Sequence, residues 1–199
     1  MSSQHKFKLI VAYDGTNYSG WQIQKVGLGV QQRVEEALAK IFPSEPRLHS
    51  SSRTDTGVHA LGMVAHVEIP KDEFKMPLHK LALALNAHLP VDIRVMSAKK
   101  CAAKFHARFD AKGKQYRYFI WNHHALNPLL RHQVWHIGHK LNLKTMREAA
   151  KHFLGKHDFK SLEGTRSYKM KSTVRTLTRC DIKRNGELLT VLIEGDGFL

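Results

Sequence analysis

The sequence predicts an α+β protein of two ferredoxin-like, or RRM-like, domains, with mainly antiparallel sheets joined around a central cleft. Three observations lead there. Runs alternating apolar with polar residues, the period of a half-buried strand, are interleaved with runs whose apolar residues recur every three or four positions, the period of a helix. The order strand, helix, strands occurs before about residue 105 and again after it, without sequence identity between the halves. A chain of 199 residues, 42% hydrophobic and 25% charged, holds one or two globular domains with real cores.

Each element follows from a local pattern. Phe7, Leu9, Val11 and Tyr13 alternate with Lys8, Ile10 and Ala12 as a first strand, and residues 14–21 are turn chemistry carrying two aromatics. Val30, Val34, Ala37, Leu38, Ile41 and Phe42 recur at helical spacing up to Pro43, with Gly29 at the cap position. A short extended segment at about 47–51 leads into a polar loop, and 63–69 alternate as a strand. Pro77 opens a second helix with Leu78, Leu81, Ala82, Leu85 and Leu89 on one face, and Ile93 and Val95 mark another strand. The second half starts near 105–112, so 1–107 are expected as an N-terminal domain carrying an aspartate loop and 108–199 as a C-terminal one. In that half 113–121 form a strand with interleaved aromatics and cations, 122–130 a loop and 134–137 a short strand. Asn142 should cap a helix from Leu143 to Leu154, with Gly155 as its stop. Strands at 174–182 and 188–194 are joined by a hairpin at Asn185-Gly186. The sequence stops at Gly197-Phe198-Leu199, directly after a strand, and reads as a chain whose C-terminal part is missing.

Lysine and arginine outnumber aspartate and glutamate by 32 to 17, a net charge of +15. That points to a polyanionic partner, nucleic acid first, although a merely basic protein carries the same charge. Two cysteines, Cys101 and Cys180, make no disulfide framework and suggest a reducing compartment. The N-terminus has no signal-peptide layout, and no apolar run approaches the roughly 20 residues of a membrane span. A cytoplasmic protein without membrane contact is expected.

The loop Ser50-Ser51-Ser52-Arg53-Thr54-Asp55-Thr56-Gly57-Val58-His59-Ala60 presents one carboxylate beside a strand. Arg53 and His59 flank Asp55 and would favour its anionic form. Two readings stay open: aspartates in such loops commonly form turns with their own backbone, and a rigidly based loop is also where a reactive side chain is displayed. On the strand at 113–121, Tyr116, Tyr118 and Ile120 share a face. The tyrosines could stack an unpaired base while Lys112 and Lys114 hold phosphate, or they could be core. Arg166, Lys169, Lys171, Arg175 and Arg179 could track an RNA backbone or form a solvated face. His132, His136 and His139 have ligand-like spacing for a helix, but their segment alternates as a strand and has no acidic partner, so no metal is expected. His157-Asp158 are adjacent and rarely could face one another as a relay. With no phosphate-binding Gly-rich loop, nucleophilic Ser or Cys motif or CxxC, no cofactor is expected either.

Val11-Ala12-Tyr13-Asp14-Gly15-Thr16-Asn17-Tyr18-Ser19-Gly20-Trp21-Gln22 closely resembles the opening of the TruA-type tRNA pseudouridine synthases. So do, in family order, residues 53–60, Phe105-His106-Ala107-Arg108-Phe109, residues 112–118, His157-Asp158-Phe159, Val174-Arg175-Thr176 and Gly197-Phe198-Leu199. The resemblance implies an isomerase that turns uridine into pseudouridine at positions 38 to 40 of the tRNA anticodon stem-loop. It implies a homodimer bridged by tRNA, working without cofactor or metal. By it, Asp55 is the nucleophile, attacking C1′ of the ribose or C6 of the uracil. Arg53 keeps Asp55 ionised and the nucleotide flipped out, and Tyr116 stacks on the base and is a candidate for proton transfer at C5. Lys114, Arg117, His59 and Arg108 are candidate tRNA contacts. The sequence departs from the family at Ser50 and Ser52, usually Gly, at Met63, usually Gln, and at Gly29, often a Thr cap. The family continues past Gly197-Phe198-Leu199 with a helix whose arginine pairs with the aspartate. A catalytically silent tRNA-binding homologue is therefore the alternative.

Overall fold

The computed structural model describes residues 3–162 and 172–198, which divide into two compact units, Met1–Ala111 and Lys112–Leu199. Both are α+β with mostly antiparallel sheets, three α-helices in all among the described residues.

The first unit runs β1 (Gln4–Tyr13), α1 (Val30–Ala39), β2 (Leu48–Ser50), β3 (Ala60–Pro70), α2 (Leu78–His88) and β4 (Ile93–Lys100). Its sheet order is β2-β3-β1-β4 with antiparallel neighbours throughout, the split βαβ arrangement of ferredoxin-like folds. Strand alternation sorts the faces. Phe7, Leu9, Val11 and Tyr13 of β1 and Ala65, Val67 and Ile69 of β3 are buried with Val34 and Leu38 of α1 and Leu81 and Leu85 of α2 in one core. Burying each large aliphatic side chain there contributes roughly 1.5–3 kcal/mol before entropy is counted. Register irregularities in β1, between Val11 and Tyr13 against β3 and between Ile10 and Val11 against β4, lie where the strand feeds the loop after Tyr13.

Gly29 caps α1 without a side chain. The helix instead borrows carbonyls from the preceding loop, as Val30 and Gln31 donate to the carbonyls of Gly20 and Trp21 at 3.1 and 2.9 Å. A β-carbon on residue 29 would lie 2.5 Å from the Gln22 carbonyl oxygen, so this packing has no room for a threonine cap.

The second unit contains β5 (Lys114–Trp121), β6 (Trp135–His136), α3 (Leu143–Lys151), β7 (Gly155–Asp158), β8 (Val174–Asn185) and β9 (Leu188–Gly195), in sheet order β6-β5-β9-β8-β7. Among the described residues only the β5–β6 pair is parallel. Asn142 caps α3 as expected, accepting from Lys144 and Thr145. The helix ends earlier than its pattern predicts, because residues 152–154 tighten onto carbonyls three positions back, and Gly155 (φ +96°) opens β7 instead of capping. The sequence pattern missed β7, whose four residues are exposed and include no β-branched side chain and no Phe, Tyr or Trp. The hairpin turns one residue later than expected. Asn185 pairs with Leu188, leaving Gly186 (φ +58°) and Glu187 as the loop, since a left-handed first turn position favours glycine. Among the described residues no helix is long and apolar enough to cross a membrane.

Candidate active site

The loop between β2 and β3 is held from outside, by the segment that leaves β1. Gly20 (φ +92°) approaches it so closely that a β-carbon there would lie 2.5 Å from the Thr54 carbonyl oxygen and 3.2 Å from the Asp55 carbonyl carbon. A β-carbon on Gly15 would lie 2.1 Å from the Val58 carbonyl oxygen. Only glycine permits such backbone-to-backbone contact. The contact is bonded as well as tight. Trp21 N–H donates to the Thr54 carbonyl at 3.0 Å, and Gly57 N–H to the Tyr18 carbonyl at 3.2 Å. The Tyr13 hydroxyl and Thr54 Oγ1 are 2.7 Å apart. Beneath the loop the buried rings of Tyr13 and Trp21 pack with centroids 5.6 Å apart. Tyr18, also buried, donates to Asp92 Oδ1 at 2.7 Å; burial first, then that carboxylate, push its pKa well above the ordinary tyrosine value.

Asp55 lies exposed on this platform. Its backbone carbonyl accepts from Val58 N–H at 3.2 Å, which closes the turn. Among the described residues its carboxylate makes no hydrogen bond and no ion pair. The contrast with other aspartates is informative. Asp14 accepts from the Thr16 N–H and hydroxyl, Asp110 from His106 N–H and Asp158 from Lys160 N–H, all serving their own turns. Asp55 does not use its side chain to form its turn. Arg53 is exposed beside it, and among the described residues it forms no ion pair with it. His59 turns toward the first loop: its Nδ1 lies 3.1 Å from Gly15 N and 3.0 Å from Asp14 Oδ1. With its proton on Nε2 the ring accepts the Gly15 N–H at Nδ1, whereas a proton on Nδ1 is donated to Asp14. Hydrogen bonds from Thr16 first, with the His59 charge a smaller cause, hold Asp14 below the usual carboxylate range.

Ser50 and Ser52 keep ordinary backbone conformations, since among the described residues only Glu45 is a non-glycine with positive φ. Ser50 Oγ donates to the Ser52 carbonyl at 2.7 Å. Ser51 Oγ reaches Met63 Sδ at 3.6 Å. Arg108 is exposed on the turn 102–110, its N–H donating to His106 Nδ1 at 3.2 Å. The same turn is pinned to the sheet by Ala107 N–H, which donates to Nδ1 of buried His66 at 3.1 Å. Burial first, then the neighbouring His49, His106 and Lys6, push His66 down to about 4, so it is neutral at pH 7. Tyr13, Gly15, Gly20, Trp21 and His66 are the positioning residues that motif spacing did not single out. The signal was present in the two glycines and two aromatics of residues 14–21.

In the second unit Tyr116 is half-buried on β5, opposite Ile193 of β9, with its ring edge-to-face against Phe198 at 4.7 Å. Tyr118, 59% exposed, is not core. Lys114 begins the strand, and Arg117 Nε donates to Gln115 Oε1 at 2.7 Å. Arg175 bonds the Ser172 and Val174 carbonyls, and Arg179 pairs with Asp181 at 2.6 Å. Both are thus engaged within their own strand region. Arg166, Lys169, Lys171 and Leu199 lie outside the described residues. His136 Nε2 contacts the His123 carbonyl at 2.8 Å, and among the described residues no three side chains converge to hold a metal. His157 turns to the Leu154 carbonyl and not to Asp158.

A sequence model of the family described as tRNA pseudouridine synthase matches residues 9–110 and 149–199, more than half of the chain. The tRNA pseudouridine synthase A of Geobacter sulfurreducens is 46% identical over 192 residues, covering 96% of this chain and 77% of the relative. That of Thermoanaerobacter sp. (strain X514) is 44% identical over 191 residues, with 96% and 77% covered. The tRNA pseudouridine synthase A 1 of Protochlamydia amoebophila is 41% identical over 198 residues, with 98% and 76% covered. The chain belongs to the tRNA pseudouridine synthase family.

Proposed function

We propose that this protein isomerises uridine to pseudouridine in tRNA, at positions 38 to 40 of the anticodon stem-loop, with Asp55 as nucleophile. One observation carries the assignment of Asp55: a carboxylate that takes no part in its own turn is displayed on a loop clamped by a second loop. An aspartate needed only as a turn-former would spend its oxygens on nearby N–H groups, as Asp14, Asp110 and Asp158 do. In this reading the carboxylate attacks C1′ with N1 of the uracil leaving, or adds to C6 ahead of the same cleavage; the uracil then turns, C5 bonds to C1′ as the carboxylate is released, and the C5 proton is lost while N1 gains one. Arg53 supports the flipped nucleotide, Tyr116 stacks on the base, and Lys114, Arg117, His59 and Arg108 contact the RNA. The N-terminal domain, 1–107, carries the nucleophile's loop, and 108–199 form the C-terminal domain. The working unit is a cytoplasmic homodimer.

Asp55→Asn tests the assignment because it preserves shape and removes nucleophilicity. Tritium release from C5-labelled uridine in tRNA should be abolished while tRNA binding stays nearly intact. Wild-type turnover in the variant would refute the role given to Asp55. Binding without release by the unaltered protein would favour a silent tRNA-binding homologue.

A further inference from the structure

We infer that the open face of the first unit's sheet carries a site for one unpaired RNA nucleotide, remote from Asp55, with its base stacked on the imidazole of His49 and edged by that of His106, which is tilted 52° to it at 5.8 Å, and its phosphate held by Arg47. The inference rests on the tRNA-binding reading above and locates a second contact on the same substrate.

The alternation that buries Phe7, Leu9 and Val11 against the helices turns Lys6 and Lys8 of β1, His49 of β2 and His66 and Glu68 of β3 to the opposite face. His49 and His66 are directly paired across β2 and β3, and their rings stack at 5.0 Å with planes 19° apart. The turn 102–110 closes over them. His106 meets His66 at 4.7 Å and 65°, and Phe109 packs on His106 at 4.3 Å. Two bonds fix that turn: Ala107 N–H to His66, and Lys6 Nζ to the Phe105 carbonyl at 3.0 Å. Between these walls lies a cavity of about 380 Å³, large enough for a small ligand such as a mononucleotide.

Its chemistry favours an aromatic ring with one phosphate over a bare anion. Lys6 is already committed to Glu68 at 2.7 Å, and Glu45 also lines the cavity, so its fixed charges nearly cancel. Neutral His66 forms the floor, exposed His49 offers a ring to a base, and half-buried His106, packed by Phe109, stands at the base's edge. Arg47, its side chain 77% exposed and, among the described residues, tethered only to Glu35 at 3.2 Å, can swing to a phosphate on the rim. In sheets of this βαββαβ type, RNA bases stack on aromatic side chains of the open face, and imidazoles take that place here. The cavity lies at the Gln4–Pro70 end of the β1–β3 ladder and the Asp55 loop at the Tyr13–Ala60 end. Seven residue steps along β1 separate Lys6 from Tyr13, roughly 20 Å, so a tRNA that engages Asp55 has to extend to reach both.

The test follows the ring C–H resonances of His49 and His106 in the full chain during titration with adenosine monophosphate and, separately, inorganic phosphate. tRNA affinity is measured alongside for His49→Ala and Arg47→Ala. Adenosine monophosphate should shift both histidines saturably and phosphate alone should not. His49→Ala should weaken tRNA binding roughly 5- to 100-fold at an unchanged melting temperature. Arg47→Ala should also weaken it and reduce the salt slope by about one. Unmoved resonances with wild-type tRNA affinity in both variants overturn the proposal. Equal shifts from phosphate alone overturn the base-stacking assignment and leave an anion site only. If His49→Ala fails to fold, the wild-type titration and Arg47→Ala decide the matter. Wild-type turnover in Asp55→Asn would remove the catalytic assignment and leave this site standing, whereas a silent cavity in a chain that binds and turns over tRNA sinks this proposal alone.

Discussion

Replacing Gly20 with alanine puts a methyl group into the contact that holds the Asp55 loop. Two costs follow from the structure. The backbone at φ +92° lies in the left-handed region, where a β-carbon costs about 1–2 kcal/mol. The methyl carbon would also stand 2.5 Å from the Thr54 carbonyl oxygen, and restoring ordinary contact requires the two backbones to part by roughly 1 Å. That same oxygen accepts the Trp21 N–H at 3.0 Å, so the separation breaks a hydrogen bond contributing about 0.5–1.5 kcal/mol. Together these predict a destabilisation of about 1.5–3.5 kcal/mol. Asp55 follows Thr54 directly, so its carboxylate moves with the loop, and a displacement near 1 Å is expected to lower turnover by about two orders of magnitude. A urea unfolding midpoint followed by tryptophan fluorescence measures the first effect, and single-turnover tritium release the second. A variant with the wild-type midpoint would show that the contact is not tight. A destabilised variant with wild-type turnover would show that this packing does not position Asp55.

Other predictions concern neighbouring parts of the first unit and the second-unit tyrosine. His66 accepts the Ala107 N–H only while neutral, and its pKa is depressed to about 4. As pH falls below the ordinary histidine value of about 6.5, the unfolded chain gains a proton that the folded chain refuses. Stability present above pH 6.5 is therefore lost progressively toward pH 4, by on the order of 3 kcal/mol. Urea midpoints across that range check this, and His66→Gln, which keeps an acceptor without a titrating ring, should flatten the slope; an unchanged slope contradicts the assignment. Tyr13→Phe and Thr54→Val each remove one side of the 2.7 Å contact and should each lower turnover roughly tenfold, with the double variant no worse than either. Fully multiplicative losses would show that the two hydroxyls act independently. For Tyr116, phenylalanine should retain most base stacking and alanine lose it, so tRNA affinity should fall for Tyr116→Ala by roughly 5- to 100-fold and little for Tyr116→Phe. Equal affinities in both variants argue against stacking.

The fold class and most elements were legible in the sequence because burial on a strand or helix face leaves a period. Phe7 to Tyr13 and Val30 to Leu38 display it, and Asn142 displays a cap. Elements without buried faces leave no period, which is why β7, four exposed residues ending in Asp158, was not visible. The early end of α3 and the one-residue shift of the hairpin come from local bond choices that the pattern does not encode. Of the candidate site, the sequence marked Asp55 and its neighbours as a group but pointed His59 and Arg53 at Asp55. The chain path instead delivers His59 to Asp14 and Gly15.

The two-sheet α+β architecture, the family and the residues worth suspecting are all legible in the order of residues along the chain. Tertiary structure alone decided what supports them. Gly20 meets Thr54, Gly15 meets Val58, and Tyr13 meets the Thr54 hydroxyl across more than thirty residues of chain. Periodicity reports which way a side chain faces within its own element, whereas a backbone-to-backbone contact depends on where two loops finish in space. Such contacts can be read only after the sheet that carries both loops has formed.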